Sequence, residues 1–366
     1  MPSIFDTIAG LQELKQGGWP NAGNPGEPGR LSELKEFGRN PGALRALLHV
    51  PAGLRPRAPL VVVLHGCTQT ALRYDRGSGW STLADQFGFA VLFPEQQRAN
   101  NPNLCFNWFV PADTRRGEGE AESIREMIAA TIRAHDLDAA RVFVTGLSAG
   151  GAMTSVMLAT HPELFAGGAI IAGVPYGTAS GVPQAMERMR GMGHDRAALS
   201  GHVRRASSHT GPWPAVAVWQ GTADATVAPV NAAMIVDQWR GIHGVDAPDV
   251  ADRVDGHAHR AWHDASGRLV IEEYEVAGLA HGTPIATSGD EAYGVPGAHM
   301  LAAGISSTYR IAASWGIVPA TAPARRPAPA AAAPHPPARD KPAPAARFDP
   351  GQTINDALRA AGLLKS

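Results

Sequence analysis

The β-favouring run Arg141-Val142-Phe143-Val144-Thr145 ends in Gly146-Leu147-Ser148-Ala149-Gly150 and passes straight into an Ala- and Met-rich helical pattern. Gly-x-Ser-x-Gly at a strand-to-helix junction presents a nucleophile: the sharp turn strains the central residue, and glycines on either side let the chain turn without collision. Ser148 is therefore the candidate nucleophile, its hydroxyl beside the positive end of the helix that starts at Ala149. A serine at its free pKa attacks poorly and needs a base, and the base needs an acid to orient it. The strand-like Ala215-Val216-Ala217-Val218-Trp219 leads into Gln220-Gly221-Thr222-Ala223-Asp224, which places an acid at a strand end. Ile271-Glu272-Glu273-Tyr274-Glu275-Val276 leads likewise into Gly278-Leu279-Ala280-His281-Gly282, which supplies the base.

The chain order Ser148, Asp224, His281 is the order of the α/β-hydrolase fold, and each residue follows a strand, so the three should converge on one edge of a mostly parallel sheet. That fold takes one oxyanion donor from the loop after an early strand and another from the amide following the nucleophile. Here Pro59-Leu60-Val61-Val62-Val63-Leu64 reads as a buried strand running into His65-Gly66-Cys67, so the donors would be the Cys67 and Ala149 N–H groups. Other residues with the right chemistry compete less well. Asp237 lies inside a helical pattern over 230–239 and reads as a solvated or capping group, while Asp195 and Asp255 sit in polar stretches. Cys67 beside His65 lacks the elbow that Ser148 has. His257, His259 and His263 form an H-x-H-x3-H cluster, but Asp255, Arg260 and Asp264 surround it in what reads as a polar loop, so it is taken as an incidental surface cluster and no metal site.

The elements that must position these groups read as strands near 46–50, 60–64, 89–93, 141–145, 168–173, 215–219 and 269–276, and helices near 71–88, 119–135, 149–160, 229–242 and 297–315. Their alternation implies one catalytic domain over 46–317. Between the nucleophile and acid strands, over 175–213, the pattern fails, which marks an insertion that could form a cap or lid. Residues 1–45 read as an extension, with Ile4, Phe5, Ile8, Leu11 and Leu14 spaced as a short helix. Residues 318–348 are dominated by Pro and Ala and read as an extended linker. After it, residues 349–366 read as a short amphipathic helix, with Thr353 and Asp356 spaced as a capping box and Leu358, Ala361 and Leu364 on its apolar stripe.

A hydrophobic content of 44% is ample for a core in 366 residues, and a net charge of −1 with scattered Lys and Arg gives no footprint for nucleic acid or an anionic membrane. No run reaches the roughly eighteen apolar residues of a membrane span. No apolar segment follows a basic start as in a signal peptide, so a cytoplasmic location is expected, with export by a non-classical route as the alternative. In a cytosolic chain Cys67 and Cys105 would stay thiols, the reading favoured here; in an exported one they could pair.

The strings Leu64-His65-Gly66-Cys67-Thr68-Gln69-Thr70, Pro94-Glu95-Gln96, Cys105-Phe106-Asn107-Trp108-Phe109, Pro175-Tyr176-Gly177 and His281-Gly282-Thr283-Pro284, together with 146–153 and 221–227, resemble the esterase, polyhydroxybutyrate (PHB) depolymerase family. The likeness covers roughly residues 46 to 315, with the motifs in the family's order. It implies a serine carboxylester hydrolase with an acyl-enzyme intermediate and no cofactor. It also implies an oxyanion hole at the Cys67 backbone and an aromatic subsite at Trp108, with Asn107 and His65 as neighbouring substrate-binding candidates. The expected substrate is a polyhydroxybutyrate-type polyester or a hydroxybutyrate oligomer; feruloyl or acetyl-xylan esters are the alternative within the same chemistry. A reading of another class is a non-catalytic protein attached to polyester granules through its C-terminal helix, against which an intact triad argues.

Overall fold

The computed structural model describes residues 30–323. The extension helix expected over 2–15, most of the Pro/Ala-rich linker and the amphipathic helix over 349–366, with its polymer- or granule-binding role, lie outside the described residues.

The chain opens with strands β1 (Ser32–Glu33), β2 (Arg45–His49) and β3 (Leu60–Leu64), then helices α1 (Ala71–Ser78) and α2 (Trp80–Phe87). There follow β4 (Ala90–Glu95), α3 (Pro111–Thr114), α4 (Gly119–His135), β5 (Val142–Leu147), α5 (Ala149–Thr160) and β6 (Gly167–Ile171). Next come α6 (Val182–Met189), α7 (Leu199–Ala206), β7 (Ala215–Gly221), α8 (Val230–His243), β8 (Val250–Val254) and β9 (His257–His263). The last are β10 (Leu269–Val276), β11 (Thr283–Ile285), β12 (Met300–Ala302) and α9 (Ser307–Ser314). A ten-stranded sheet runs in the order β1-β2-β4-β3-β5-β6-β7-β10-β9-β8. From β4 to β10 neighbouring strands are parallel, and the strands outside them pair antiparallel. The fold is that of the α/β-hydrolases.

Strand β3 shows why the sheet needs helices on both faces. Its residues alternate: Leu60, Val62 and Leu64 belong to the core layer that also holds Ile124 and Met127 of α4, Val156 of α5 and Ile235 of α8. Val61 and Val63 belong to the layer on the other side, with Tyr74 of α1, Leu83 of α2 and Ile311 of α9. A strand buried on both faces reads as a continuous apolar run rather than an alternation, as this one does.

Several expectations need correction. The helix expected over 71–88 breaks at Gly79, whose φ of 80° ends α1 while its amide donates to the Asp75 carbonyl. The helix expected from 297 begins only at Ser307, after β12. The stretch holding His257, His259 and His263 is strand β9, a hairpin partner of β8 around Asp255-Gly256 with φ of 50° and 83°. Asp-Gly between alternating residues is a hairpin signal that the polar composition masked. Residues 30–45 join the sheet through β1 and bury Phe37 and Leu44, so the folded unit starts before 46. Val318 is buried and the Pro319 carbonyl accepts from Tyr309, so it also extends past 317. In the insertion, α7 is anchored: Leu199 and Val203 are buried, Ser200 donates to the Gln238 carbonyl, and the Gln238 amide donates to the carbonyls of Leu199 and Tyr176.

Candidate active site

Strand β5 turns into α5 at Ser148, whose φ of 58° and ψ of −117° lie where an L-residue is strained. The strain is held by close packing. A Cβ at Gly150 would sit 2.2 Å from the Leu64 carbonyl oxygen, and one at Gly146 would sit 2.4 Å from the Gly150 carbonyl carbon. Glycine at both positions lets the start of α5 press against the end of β3. Two bonds then lock the turn: the Ser148 amide donates to the Ile171 carbonyl at 2.9 Å, and the Ala152 amide to the Ser148 carbonyl at 2.8 Å.

Two strands away, β7 delivers Asp224 and its parallel neighbour β10 delivers His281. Their loops are stitched together, with the Thr222 amide donating to the Val276 carbonyl and the Ala223 amide to the Leu279 carbonyl, both at 3.0 Å. His281 Nδ1 lies 2.8 Å from Asp224 Oδ2. A carboxylate can only accept, so Nδ1 carries the proton and Nε2 is the free basic nitrogen. The same Asp224 oxygen accepts from Gln220 Nε2 at 3.2 Å, while Oδ1 accepts from the amides of Thr226 at 2.9 Å and Val227 at 2.8 Å. Burial pushes the Asp224 carboxyl up, but the His281 hydrogen bond and charge, with the Val227 and Thr226 amides, outweigh it and hold the group below the usual aspartate range. Asp237 on α8, the competing acid, instead pairs with Arg240 of the same helix at 3.2 Å and with Arg196 of the insertion at 3.2 Å.

The loop after β3 packs beside the elbow. Cys67 and Cys105 form a disulfide with a Cα–Cα distance of 4.2 Å, which corrects the expectation of free thiols. The Thr68 amide donates to the Asn103 carbonyl at 2.6 Å, so the bridge and the backbone together tie the 66–70 loop to the 101–108 loop. Among the described residues neither the Cys67 nor the Ala149 amide donates a hydrogen bond, as an anion-receiving pair requires.

The three proposed substrate contacts divide. Trp108, half-buried, packs with Met189 against a small apolar cluster of Ala152, Val174 and Val227, one turn past Ser148 and three residues past Asp224. This wall joins the elbow to the acid loop. Asn107 serves its own loop: its amide donates to Glu120 Oε2 at 2.8 Å and its Oδ1 accepts from Asn101 at 3.0 Å. His65 is corrected to a scaffold residue. It is 1% exposed, Nδ1 donates to the Gly66 carbonyl at 2.8 Å, Nε2 accepts from the Gln96 amide at 3.1 Å, and its ring packs on Phe106. Burial lowers its pKa and keeps it neutral.

Composition did not point to the buried Glu120, which is 0% exposed and joins three segments: its own helix α4, Asn107 of the disulfide loop, and Gln96 after β4 at 2.5 Å. Burial, with the nearby Asp113 charge, drives its carboxyl to about 8 despite the hydrogen bonds from Asn107 and Gln96. The β9 histidines hold the sheet edge: His259 lies between Asp252 at 2.7 Å and Glu272 at 3.1 Å, and His263 lies 2.8 Å from Asp249.

Residues 44–261 match the family model described as Esterase PHB depolymerase. The chain belongs to this family. A relative in Paucimonas lemoignei, poly(3-hydroxyalkanoate) depolymerase C, is 44% identical over 292 residues, covering 79% of this chain and 70% of that protein. Acetylxylan esterase A of Emericella nidulans is 33% identical over 250 residues, covering 64% of this chain and 81% of that protein. Among solved structures, the acetyl xylan esterase from Aspergillus awamori superposes with a TM-score of 0.63 at 28% identity, covering 69% of this chain and 93% of that one. As a member of the PHB depolymerase family the chain is a carboxylic ester hydrolase, which sets aside the reading as a non-catalytic binding protein. No helix among the described residues is long and apolar enough to cross a membrane.

Proposed function

We propose that this family member hydrolyses polyhydroxyalkanoate-type polyesters and their hydroxybutyrate oligomers through an acyl-enzyme on Ser148. The observation that carries the reading is the 2.8 Å His281–Asp224 pair on the same sheet edge as a serine held at φ 58°. His281 Nε2 takes the Ser148 proton as the oxygen attacks the ester carbonyl. The carbonyl oxygen, now negative, is received by the Cys67 and Ala149 amides; one such donor is worth about 2.7–4 kcal/mol of barrier. His281 returns the proton to the leaving alcohol, and water repeats the attack to free the acid. Asp224, ionised and held by two backbone amides, keeps the imidazole in the tautomer this cycle needs.

Two observations support a hydroxyalkanoate acyl group. The wall of Trp108, Ala152, Val174, Val227 and Met189 is apolar, suited to a short aliphatic chain, and a relative named for that polymer is 44% identical. The acetylxylan esterase relatives favour a second reading, deacetylation of plant polysaccharide. The Cys67–Cys105 bond favours work in an oxidising compartment over the cytosol. A substrate panel separates the readings: hydroxybutyrate oligomers should give the highest kcat/KM, and acetylated xylan or methyl ferulate in first place would reverse the assignment.

A further inference from the structure

We propose that His299 is a positioning residue for the reaction, clamping the segment that carries His281 so that its imidazole stays aligned between Asp224 and Ser148. The inference rests on the reading of His281 as the base. His281 and His299 each lead into one strand of a separate parallel pair, β11 and β12, with Thr283 opposite Met300. Two hydrogen bonds join the histidines' segments in opposite senses. His299 Nδ1 donates to the His281 carbonyl at 3.1 Å, and the Thr283 amide donates to the His299 carbonyl at 2.8 Å. A carbonyl only accepts, so the tautomer of His299 is set with its proton on Nδ1.

The ring of His299 also stands edge-on to that of His281, centroids 5.8 Å apart at 76°. Further along, Tyr74 meets the Thr283 hydroxyl at 3.1 Å and Ser307 donates to the Pro284 carbonyl at 2.9 Å, but both act beyond His281 itself. Among the described residues the His281 carbonyl accepts from His299 alone. Two features show how close this approach is. A Cβ at Gly282 would sit 2.8 Å from the His299 carbonyl oxygen, and His299 itself takes φ 60°, a left-handed conformation that a side chain occupies at a cost. The base is thus gripped on two sides: Asp224 holds its ring and His299 holds its backbone.

The test compares His299→Asn, His299→Gly and His299→Phe in the full chain on p-nitrophenyl butyrate, with His281→Ala alongside. Asn suits positive φ and carries an amide donor near the place of Nδ1, so its kcat should stay within about threefold of wild type, since the donor's geometry is kept. Gly relieves the backbone but removes the donor, and Phe keeps a ring without one. Both should lose roughly 10- to 100-fold in kcat with little change in KM, the signature of a misaligned base. The downfield proton NMR signal of His281 Nδ1–H should persist in Asn and broaden in Gly and Phe. If the Gly variant fails to fold, Asn against Phe asks the same question. Wild-type kcat in Gly and Phe, or an equal loss in Asn, overturns the clamp. Full activity in His281→Ala would instead remove the reading on which it rests, whereas an inactive His281→Ala beside fully active His299 variants removes the clamp alone.

Discussion

Asp224→Asn is the substitution whose outcome the geometry constrains most. Oδ1 receives two backbone amides, Thr226 and Val227, and an Asn NH2 placed there would meet two donors. The amide oxygen must therefore stay with the backbone, which puts the NH2 where Oδ2 faces His281 Nδ1 and Gln220 Nε2. Gln220 has other acceptors, the Gly221 carbonyl at 3.3 Å and the Val227 carbonyl at 3.2 Å, so it tolerates the change. His281 does not. To accept from the new NH2 its Nδ1 must give up its proton, which moves to Nε2, the nitrogen that should take the Ser148 proton. The expected loss is roughly 10²–10⁴-fold in kcat, or about 2.7–5.4 kcal/mol of barrier, with KM little affected. Steady-state kinetics on a p-nitrophenyl ester, with thermal unfolding to confirm the fold, would measure it. A variant within tenfold of wild-type kcat would refute the tautomer argument, and a comparable loss in Asp237→Asn would show that the wrong acid was chosen.

Ser148→Ala should stay folded and lose turnover by a factor on the order of 10⁴ or more, read by the same assay. Replacing both Cys67 and Cys105 by Ala opens a loop of 38 residues' separation and should cost about 4 kcal/mol of stability from chain entropy, seen as a lowered denaturant midpoint. Trp108→Ala should reduce kcat/KM for hydroxybutyrate oligomers by about 10- to 100-fold, the value of burying a large apolar side chain, and should reduce it less for acetate esters. Glu120 gives a pH signature. Its folded pKa of about 8 lies above its unfolded value, so between pH 4.5 and 8 the unfolded chain releases a proton that the folded one keeps, and stability falls as pH rises through that window. Glu120→Gln removes this titration, so its melting temperature should decline less than wild type from pH 5 to pH 8; parallel declines would show that Glu120 ionises normally in the folded state.

The candidate order Ser148, Asp224, His281 could be proposed without coordinates, because each member sits just past an apolar, β-branched run and the glycines of the elbow are local requirements. The central strands were legible for the same reason. Burial on both faces leaves a contiguous apolar signal, and β3, β5 and β10 lie within a residue or two of their expected bounds. Edge strands were not. β8 carries charged residues on exposed positions and β9 carries histidines on half-buried ones, so polarity concealed a hairpin that Asp255-Gly256 announced locally. Side-chain direction was equally out of reach. His65 stands in a motif next to the catalytic loop, yet it points into the core because Gln96 and Phe106, distant in sequence, complete its surroundings.

What the sequence alone determined is thus what local chemistry dictates: the turn at Ser148, the strand ends that carry the candidate acid and base, and the resemblance that named the reaction. What only the tertiary structure decided depends on residues far apart in the chain. These are the pairing of Cys67 with Cys105, the 2.8 Å contact between Asp224 and His281, the apolar wall shared by Trp108 and Val227, and the approach of His299 to His281. The physical reason is that periodicity reports which face of an element is buried. Which distant group meets that face is settled only when the sheet order brings the loops together.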